Sequence, residues 1–538
     1  MTLKFIPPTS FLASLVKDGG FERHRPIQQL DTFEIHYLDL TPLKLKVSPF
    51  TPFLLSKSLG VNSEISTKDL QAVLAKLADI HLDPTSGAFL VLGGTLKNID
   101  RSVWADATKS GIVILHNNHF ASAVSSKDPK TLMRVLSAAL LRTFGTLRLS
   151  PYHSRIPAVG GTFFGRAQIL KQAFLVNDNF TFVGNRRIGK TSLLQEIKHR
   201  LMLQKDQPVT AELYGSRCRS TSDALSKILR QIDPKAADKA QADLVEHFPQ
   251  KVKQLARERR IVVFIDEFDR LIDMDEAASH ELMDSLREAF YQTENTRLYT
   301  AGFRSVRRAM QDVKSPLYGF TSRIVVGPLS SSEAREMIEA PLLNLGIDVR
   351  ATPLSSLIYN ETAGHPELVQ ICCSEIIKSF DERKKIPDPT DLLSAVFRTE
   401  DFRERVFGAF FANTNQHEKL VSYLLMRLGL EKGGDFGTFD FDLKDIDRLV
   451  KDTGFRLTVD QLYEIWHNLV LCGIFVEIQG GARLRFSVPQ LAKYCQNCNL
   501  DFMIQNALEG AKQERGIWSD SAAITAETSI EKNDKQDS

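Results

Sequence analysis

The chain has 538 residues, 43% hydrophobic and 25% charged, with 68 Lys+Arg against 66 Asp+Glu. That length exceeds the roughly 100–200 residues of one domain, so several domains are expected. A formal net charge of +2 excludes a globally basic nucleic-acid coat and a long acidic tail, and six cysteines in so long a chain do not make a disulfide framework.

Residues 1–158 read as an α/β domain, with strand-like runs at Phe33–Leu40, Ala88–Leu92 and Ile112–Leu115 and helical periodicity at Asp69–Ala78 and Pro129–Leu141. Among its histidines, His36, His81, His116 and His119 form no ligand pattern. The carboxylate-x-Lys spacing of a metal-dependent nuclease is approached only at Asp128-Pro129-Lys130, where the proline suits a strand badly. No activity is assigned to this region. The start of the chain, with Lys4 and then Pro7-Pro8, makes a poor export signal, and no apolar run approaches the ~20 residues of a membrane helix. A cytoplasmic protein with no membrane partner is expected.

Ser150 to Gly161 reads as a linker. A new pattern follows over 159–330: a helix at Gly165–Phe174, a strand at Asn179–Val183, a glycine-bearing loop and a helix at Lys190–Leu203. Strands at Val209–Tyr214, Ile261–Ile265, Leu298–Ala301 and Ile324–Val326 alternate with helices such as Ser222–Ile232 and His280–Thr293, the order of a parallel sheet covered on both faces. Residues 331–400 read as a helical lid, including Ser332–Pro341 and Glu367–Ser379. Residues 401–500 read as Glu418–Leu428, Leu443–Thr453 and Thr458–Cys472, then strands Phe475–Ile478 and Arg483–Val488, an order similar to a winged helix. Within 501–538 a helix end gives way, from about 510, to a polar tail without periodicity.

Gly184-Asn185-Arg186-Arg187-Ile188-Gly189-Lys190-Thr191 matches G-x-x-x-x-G-K-[ST] at every fixed position. Such a loop wraps its backbone N–H groups around phosphates, and glycine is needed where a Cβ would obstruct the turn or the ligand. Lys190 is expected to reach the β- and γ-phosphates. Thr191, with Ser192 beside it, is expected to bind Mg2+, and the helix that starts here aims its positive end at the anion. The apolar run Ile261–Ile265 ends in Asp266-Glu267. In P-loop NTPases the Asp at that place holds Mg2+ and an adjacent Glu polarises the attacking water.

Taken with Phe163-Phe164-Gly165-Arg166, with Gly327-Pro328-Leu329 before Glu333-Ala334, and with Gly364-His365-Pro366, these motifs resemble the AAA-like ATPases allied to the signal-transduction (STAND) and archaeal ATPases. The likeness covers about 160–400 and, through the winged helix, about 500. It implies a P-loop NTPase sheet with a helical lid, a C-terminal winged helix and a separate N-terminal α/β domain, with ATP and Mg2+ as ligands. Carried over, Gly165 and Arg166 frame the base, and Gly364, His365 and Pro366 approach the nucleotide from the lid. Thr300 takes the place of a γ-phosphate sensor. Arg323 resembles the arginine that such subunits insert into a neighbour's site, with Arg304 as a second candidate. Absence of an N-K-x-D motif favours ATP over GTP.

The helix that would enter a DNA groove, Thr458–Leu469, contains Asp460 and Glu464 and no Lys or Arg. Base reading wants donors facing the phosphate field, so DNA is not favoured and a protein contact is. Arg483 and Arg485 on the wing make a thin basic patch. Cys495-Gln496-Asn497-Cys498 lacks the second pair that a zinc knuckle needs. The expectation is an ATP-binding, slowly hydrolysing switch that meets ATP or ADP and either a protein partner or its own copies, as in prokaryotic conflict or signalling systems. A DNA-binding initiator or remodeller of the origin-recognition type is the alternative.

Overall fold

The computed structural model describes residues 6–514, apart from 24–26, 49–50, 58–63, 79, 81–86, 97, 154–155, 235–243, 278, 398, 400–409, 412, 434–435, 437–438 and 490–497. The amino-terminal region holds β1 (Gln28–Gln29), β2 (Phe33–Leu38), β3 (Thr51–Ser56), β4 (Glu64–Ile65), β5 (Ala88–Leu92), β6 (Thr95–Leu96) and β7 (Ile112–His116). Its main sheet runs β1-β2-β3-β5-β7, antiparallel as far as β3 and parallel beyond it.

Alternation along β3 divides the layers, since successive side chains leave opposite faces of a strand. Phe53 stacks on Phe89 at 4.5 Å on the face that also packs Phe11 and Phe120. Leu54 turns the other way, to Leu70 and Val103 of helices Thr67–Ala78 and Arg101–Lys109. The strand β3 is not among the runs expected from the sequence, and it contains Pro52. Pro52 pairs only with Tyr37 of β2, and the ladder to β5 begins one residue later, at Phe53 and Phe89. The missing N–H therefore breaks no bond to β5. Asp128 is a helix cap, accepting from Lys130 N and Thr131 N at 3.2 and 3.1 Å, so the nuclease-like spacing has a structural use.

The middle of the chain forms a second sheet from β8 (Phe180–Val183), β9 (Val209–Tyr214), β10 (Ile261–Asp266), β11 (Thr296–Gly302) and β12 (Ser322–Val325), in the order β12-β8-β11-β10-β9 and parallel throughout. All of β10 is buried. Val263 and Ile265 pack one apolar cluster and Val262 and Phe264 the other, as a strand covered on both faces requires. Because β8 lies between β11 and β12, the loop after it opens at the carboxyl ends of the strands where the order reverses, the usual place for a ligand crevice.

Helices Ser331–Asn344, Leu354–Thr362, Pro366–Arg383 and Pro389–Phe397 follow. Helix Gln416–Glu431, β13 (Asp440–Phe441), helices Leu443–Asp452 and Val459–Leu471, β14 (Phe475–Ile478) and β15 (Arg483–Phe486) make the carboxy-terminal module, whose small antiparallel sheet is ordered β13-β15-β14. One apolar cluster runs continuously from Phe11 and Phe120, through Ile338 and Cys373, to Leu424 and Phe486, so the first region, the lid and the last module share a core. The segment expected as a linker is packed at its start. Ser150 and Tyr152 are buried, and Tyr152 Oη donates to Met337 O at 2.9 Å and to Ile338 O at 3.2 Å. Residues 500–514 are helical with Ala511 buried, so order extends past the expected start of the tail, and 515–538 lie outside the described residues, as does Cys495. Among the described residues no helix is long and apolar enough to cross a membrane, and no group of three or more His, Cys, Asp or Glu could hold a metal ion.

Candidate active site

The loop between β8 and helix Lys190–Met202 takes a shape only glycine allows at two of its positions. Gly189 has φ +100°, and a Cβ on Gly184 would run into Val326 O. Lys190 Nζ bends back over the loop and donates to Gly184 O and Asn185 O, both at 2.8 Å. Burial pushes its pKa down to about 8, against the opposing pull of Asp266 and Asp269. Thr191 Oγ1 donates to Asp266 Oδ2 at 2.6 Å, which brings a hydroxyl and a carboxylate together as a hard cation with oxygen ligands needs. Burial raises the Asp266 pKa, opposed by the Thr191 bond, the Glu267 backbone N–H and Lys190.

Beyond Asp266 the chain turns sharply. Glu267 sits at φ +53°, exposed, with its N–H on Asp266 Oδ1 at 2.8 Å. Asp269 accepts from Phe303 N at 2.7 Å and Val306 N at 3.2 Å, tying the end of β11 to this helix start. These groups line a cleft of about 750 Å³ together with Phe163, Phe164 and Arg166 in front, Arg304 after β11, and Pro366 and Glu367 from the lid. The loop residues Arg186, Arg187, Ile188, Gly189, Lys190, Thr191 and Ser192 form its floor. Arg187 pairs across to Glu367, and Ser192 Oγ accepts from Ala158 N at 3.0 Å.

Several expected residues stand elsewhere. Thr300 is fully buried inside the sheet, where the hydroxyls of Thr300 and Thr321 both meet that of Thr181 at 2.7 Å. The strand continues to Gly302, so Phe303 and Arg304 occupy its end and Thr300 cannot sense a ligand. Asn185 turns out of the cleft, and its side-chain amide donates to Cys472 O of the carboxy-terminal module. Gly165, at φ +69°, leaves room for Glu333, whose Oε1 accepts from Arg166 N at 2.6 Å. The Arg166 guanidinium donates to Pro328 O at 3.2 Å, to Ile188 O at 3.3 Å and to Gly327 O, so it braces the loop and the lid hinge. Gly364, at φ +70°, packs its missing Cβ side on Leu329 O, so glycine here lets two backbone segments touch. Only Pro366 of that turn lines the cleft; His365 faces a different cavity. Arg323 lies on the edge strand β12, exposed and outside the cleft.

One polar network had no local signal in the sequence. Arg304, lining the cleft, pairs with Glu418, which is fully buried at the first turn of helix Gln416–Glu431. Asn468 Nδ2 donates to Glu418 Oε1 at 2.9 Å, and Arg307 Nη1 donates to Asn468 Oδ1 at 3.0 Å. Glu418→Ala leaves Asn468 without its buried acceptor and Arg304, 30% exposed at the cleft, without its partner, and is expected to cost about 1–3 kcal/mol, read as a lower urea midpoint with little change in slope. His116 and His119, which showed no pattern, are brought to 3.8 Å between ring centroids, with Arg142 Nη1 on His119 Nε2 at 3.1 Å. Burial pushes them down to about 4 and about 3 respectively, His116 helped by Arg142 and His119 by both neighbours.

Residues 177–310 match the sequence profile of the AAA domain. No curated protein matches the chain. Among solved structures, the Walker-type ATPase PABY2304 of Pyrococcus abyssi is similar at 16% identity and a TM-score of 0.47, over 64% of this chain and 99% of that one. The ORC2 protein of Aeropyrum pernix, in its ADPNP–ADP complexes, is similar at 15% identity and 0.45, over 64% and 92%. Drosophila ORC bound to DNA gives 13% and 0.35, over 65% and 92%. With a fully matched phosphate loop, a buried strand ending in Asp266-Glu267 and this profile over the same span, residues 177–310 are an AAA-type P-loop ATPase domain.

Proposed function

We propose that the chain is an ATP-hydrolysing molecular switch in which the carboxy-terminal module, read as a winged helix, rests on the nucleotide site and is released when ATP binds. The observation that carries this reading is the pair of contacts from that module to the site itself: Cys472 O to Asn185 of the phosphate loop, and Glu418 to Arg304 of the cleft. A ligand shifts such an equilibrium only through differential contacts, and a γ-phosphate supplies one by competing with Glu418 for Arg304.

In this reading Gly184, Gly189 and Lys190 hold the phosphates, Thr191 and Asp266 hold Mg2+, and Glu267 takes a proton from the attacking water. The water oxygen bonds to the γ-phosphorus as the bond to ADP breaks, giving ADP and phosphate. An Mg2+ ion held by Thr191 and Asp266 would neutralise charge on the phosphate oxygens. The residues fit that ion, since Thr191 and Asp266 are already paired at 2.6 Å. The test is hydrogen exchange on Glu267→Gln, which holds ATP unhydrolysed. ATP is expected to raise exchange in 459–471 relative to ADP, and equal exchange in the two states would sink the switch.

The DNA reading gains nothing from the module's surface. Asn468 is engaged by Glu418 and Arg307, Trp466 is buried, and Arg485 pairs with Asp440 at 2.6 Å. Duplex DNA binding is expected to be weak and lost steeply between low and physiological salt in a filter or anisotropy titration. Tight sequence-specific binding at physiological salt would favour the initiator.

A further inference from the structure

Behind the phosphate loop a second cavity, of about 460 Å³, lies between the ATPase sheet, the lid and the carboxy-terminal module. Of their lining residues, it shares only Ile188 with the nucleotide cleft. Such a volume is in the roughly 300–1,000 Å³ range of small-molecule sites.

His365 opens onto it from the lid. The side chain is 2% exposed, and among the described residues neither ring nitrogen makes a hydrogen bond of ordinary geometry. Burial, aided by the charge of Arg166 and opposed by the Arg186 backbone, pushes its pKa down to about 4, so the ring offers one donor and one acceptor. One nitrogen is turned to the Arg186 backbone without ordinary hydrogen-bond geometry and the other has no such neighbour among the described residues; an unmet buried polar atom costs about 1–3 kcal/mol, so a polar group of an occupant is favoured here.

Two guanidinium groups outnumber the one carboxylate that lines the cavity. Arg307 and Arg323 both line it, and burial and then the charge of Arg323 lower the pKa of Arg307. Its one lining carboxylate, Glu477, already accepts from Trp466 Nε1 at 3.0 Å. The lining also has an apolar part, to which Val325, Val470 and Leu471 contribute.

We infer that this cavity binds a small organic anion, its carboxylate or phosphate between Arg307 and Arg323, its apolar body against Val470 and Leu471, and a polar group on His365. An occupant touches all three parts of the chain at once, so binding raises the melting temperature.

The probe is 8-anilinonaphthalene-1-sulfonate, an anion on an apolar aromatic body, titrated into the full chain with the cleft saturated by ADP and Mg2+. One probe per chain is expected. Arg323→Ala is expected to weaken it at least tenfold. Val325→Trp, at a position 55% exposed and therefore tolerant of substitution, is expected to abolish binding by filling the cavity. The site that Arg323→Ala weakens and Val325→Trp abolishes is expected at the same affinity when ADP and Mg2+ are left out, so failure of the ATPase reading leaves this result intact. Octanoate and phenyl phosphate compete to identify the head group. Displacement by neither, binding that does not saturate, or stoichiometric binding untouched by both cavity variants in folded protein overturns the proposal.

Discussion

Lys190→Ala is expected to weaken ATP binding by roughly 100-fold or more while leaving the chain folded. Each hydrogen bond from a charged donor contributes about 1.5–3 kcal/mol, and Lys190 is placed to make two or more to phosphate. In the structure its ammonium spends its bonds on Gly184 O and Asn185 O, loop carbonyls that solvent can serve once it is removed. A pH signature distinguishes its role from a general loosening. Burial holds the Lys190 pKa at about 8, whereas phosphates favour the charged form and raise it in the complex. Above pH 8, binding must therefore take up a proton, and affinity is expected to fall by up to about tenfold per pH unit. Calorimetry at pH 7 and pH 9 reads this slope in the parent, and Lys190→Ala lacks it. Unchanged affinity in the folded variant would remove the site from this loop.

What could be read from the sequence follows from which constraints are local. The phosphate loop declares itself because a positive φ at Gly189 and the closeness of Val326 O to Gly184 each demand glycine at a fixed spacing. The strand β10 declares itself because burial on both faces leaves an unbroken apolar run before Asp266. Contacts between distant segments leave no such trace. Glu418 lies 114 residues from Arg304, and at its own position it reads only as the third residue of a helix capped by Asn415. His365 shows the same limit at finer scale, because a Gly-His-Pro turn fixes where the backbone goes but not which cavity the imidazole faces. Thr300 was misplaced by two residues of strand, since Ala301 and Gly302 continue the ladder to Phe182 and Val183.

Glu267→Gln is expected to keep ATP and Mg2+ binding and to lose turnover by roughly 100- to 10,000-fold, the range general-base catalysis supplies. The amide preserves the shape at φ +53° and cannot accept the water's proton. Because Glu267 is exposed on the cleft wall, the substitution leaves no buried group unpaired, and stability is expected to hold. This variant also decides whether Arg323 acts on a neighbour. Lying outside its own chain's cleft, Arg323 can touch transferring phosphate only from a second subunit. Arg323→Ala should then cut hydrolysis, spare ATP binding, and do so in proportion to assembly. Mixing the two inactive proteins creates interfaces that pair an intact Glu267 with an intact Arg323, and activity returns. If light scattering shows co-assembly while the mixture stays as inactive as its components, Arg323 is a structural residue and not a finger, and Arg304 is left as the arginine that meets the developing charge from within the same chain.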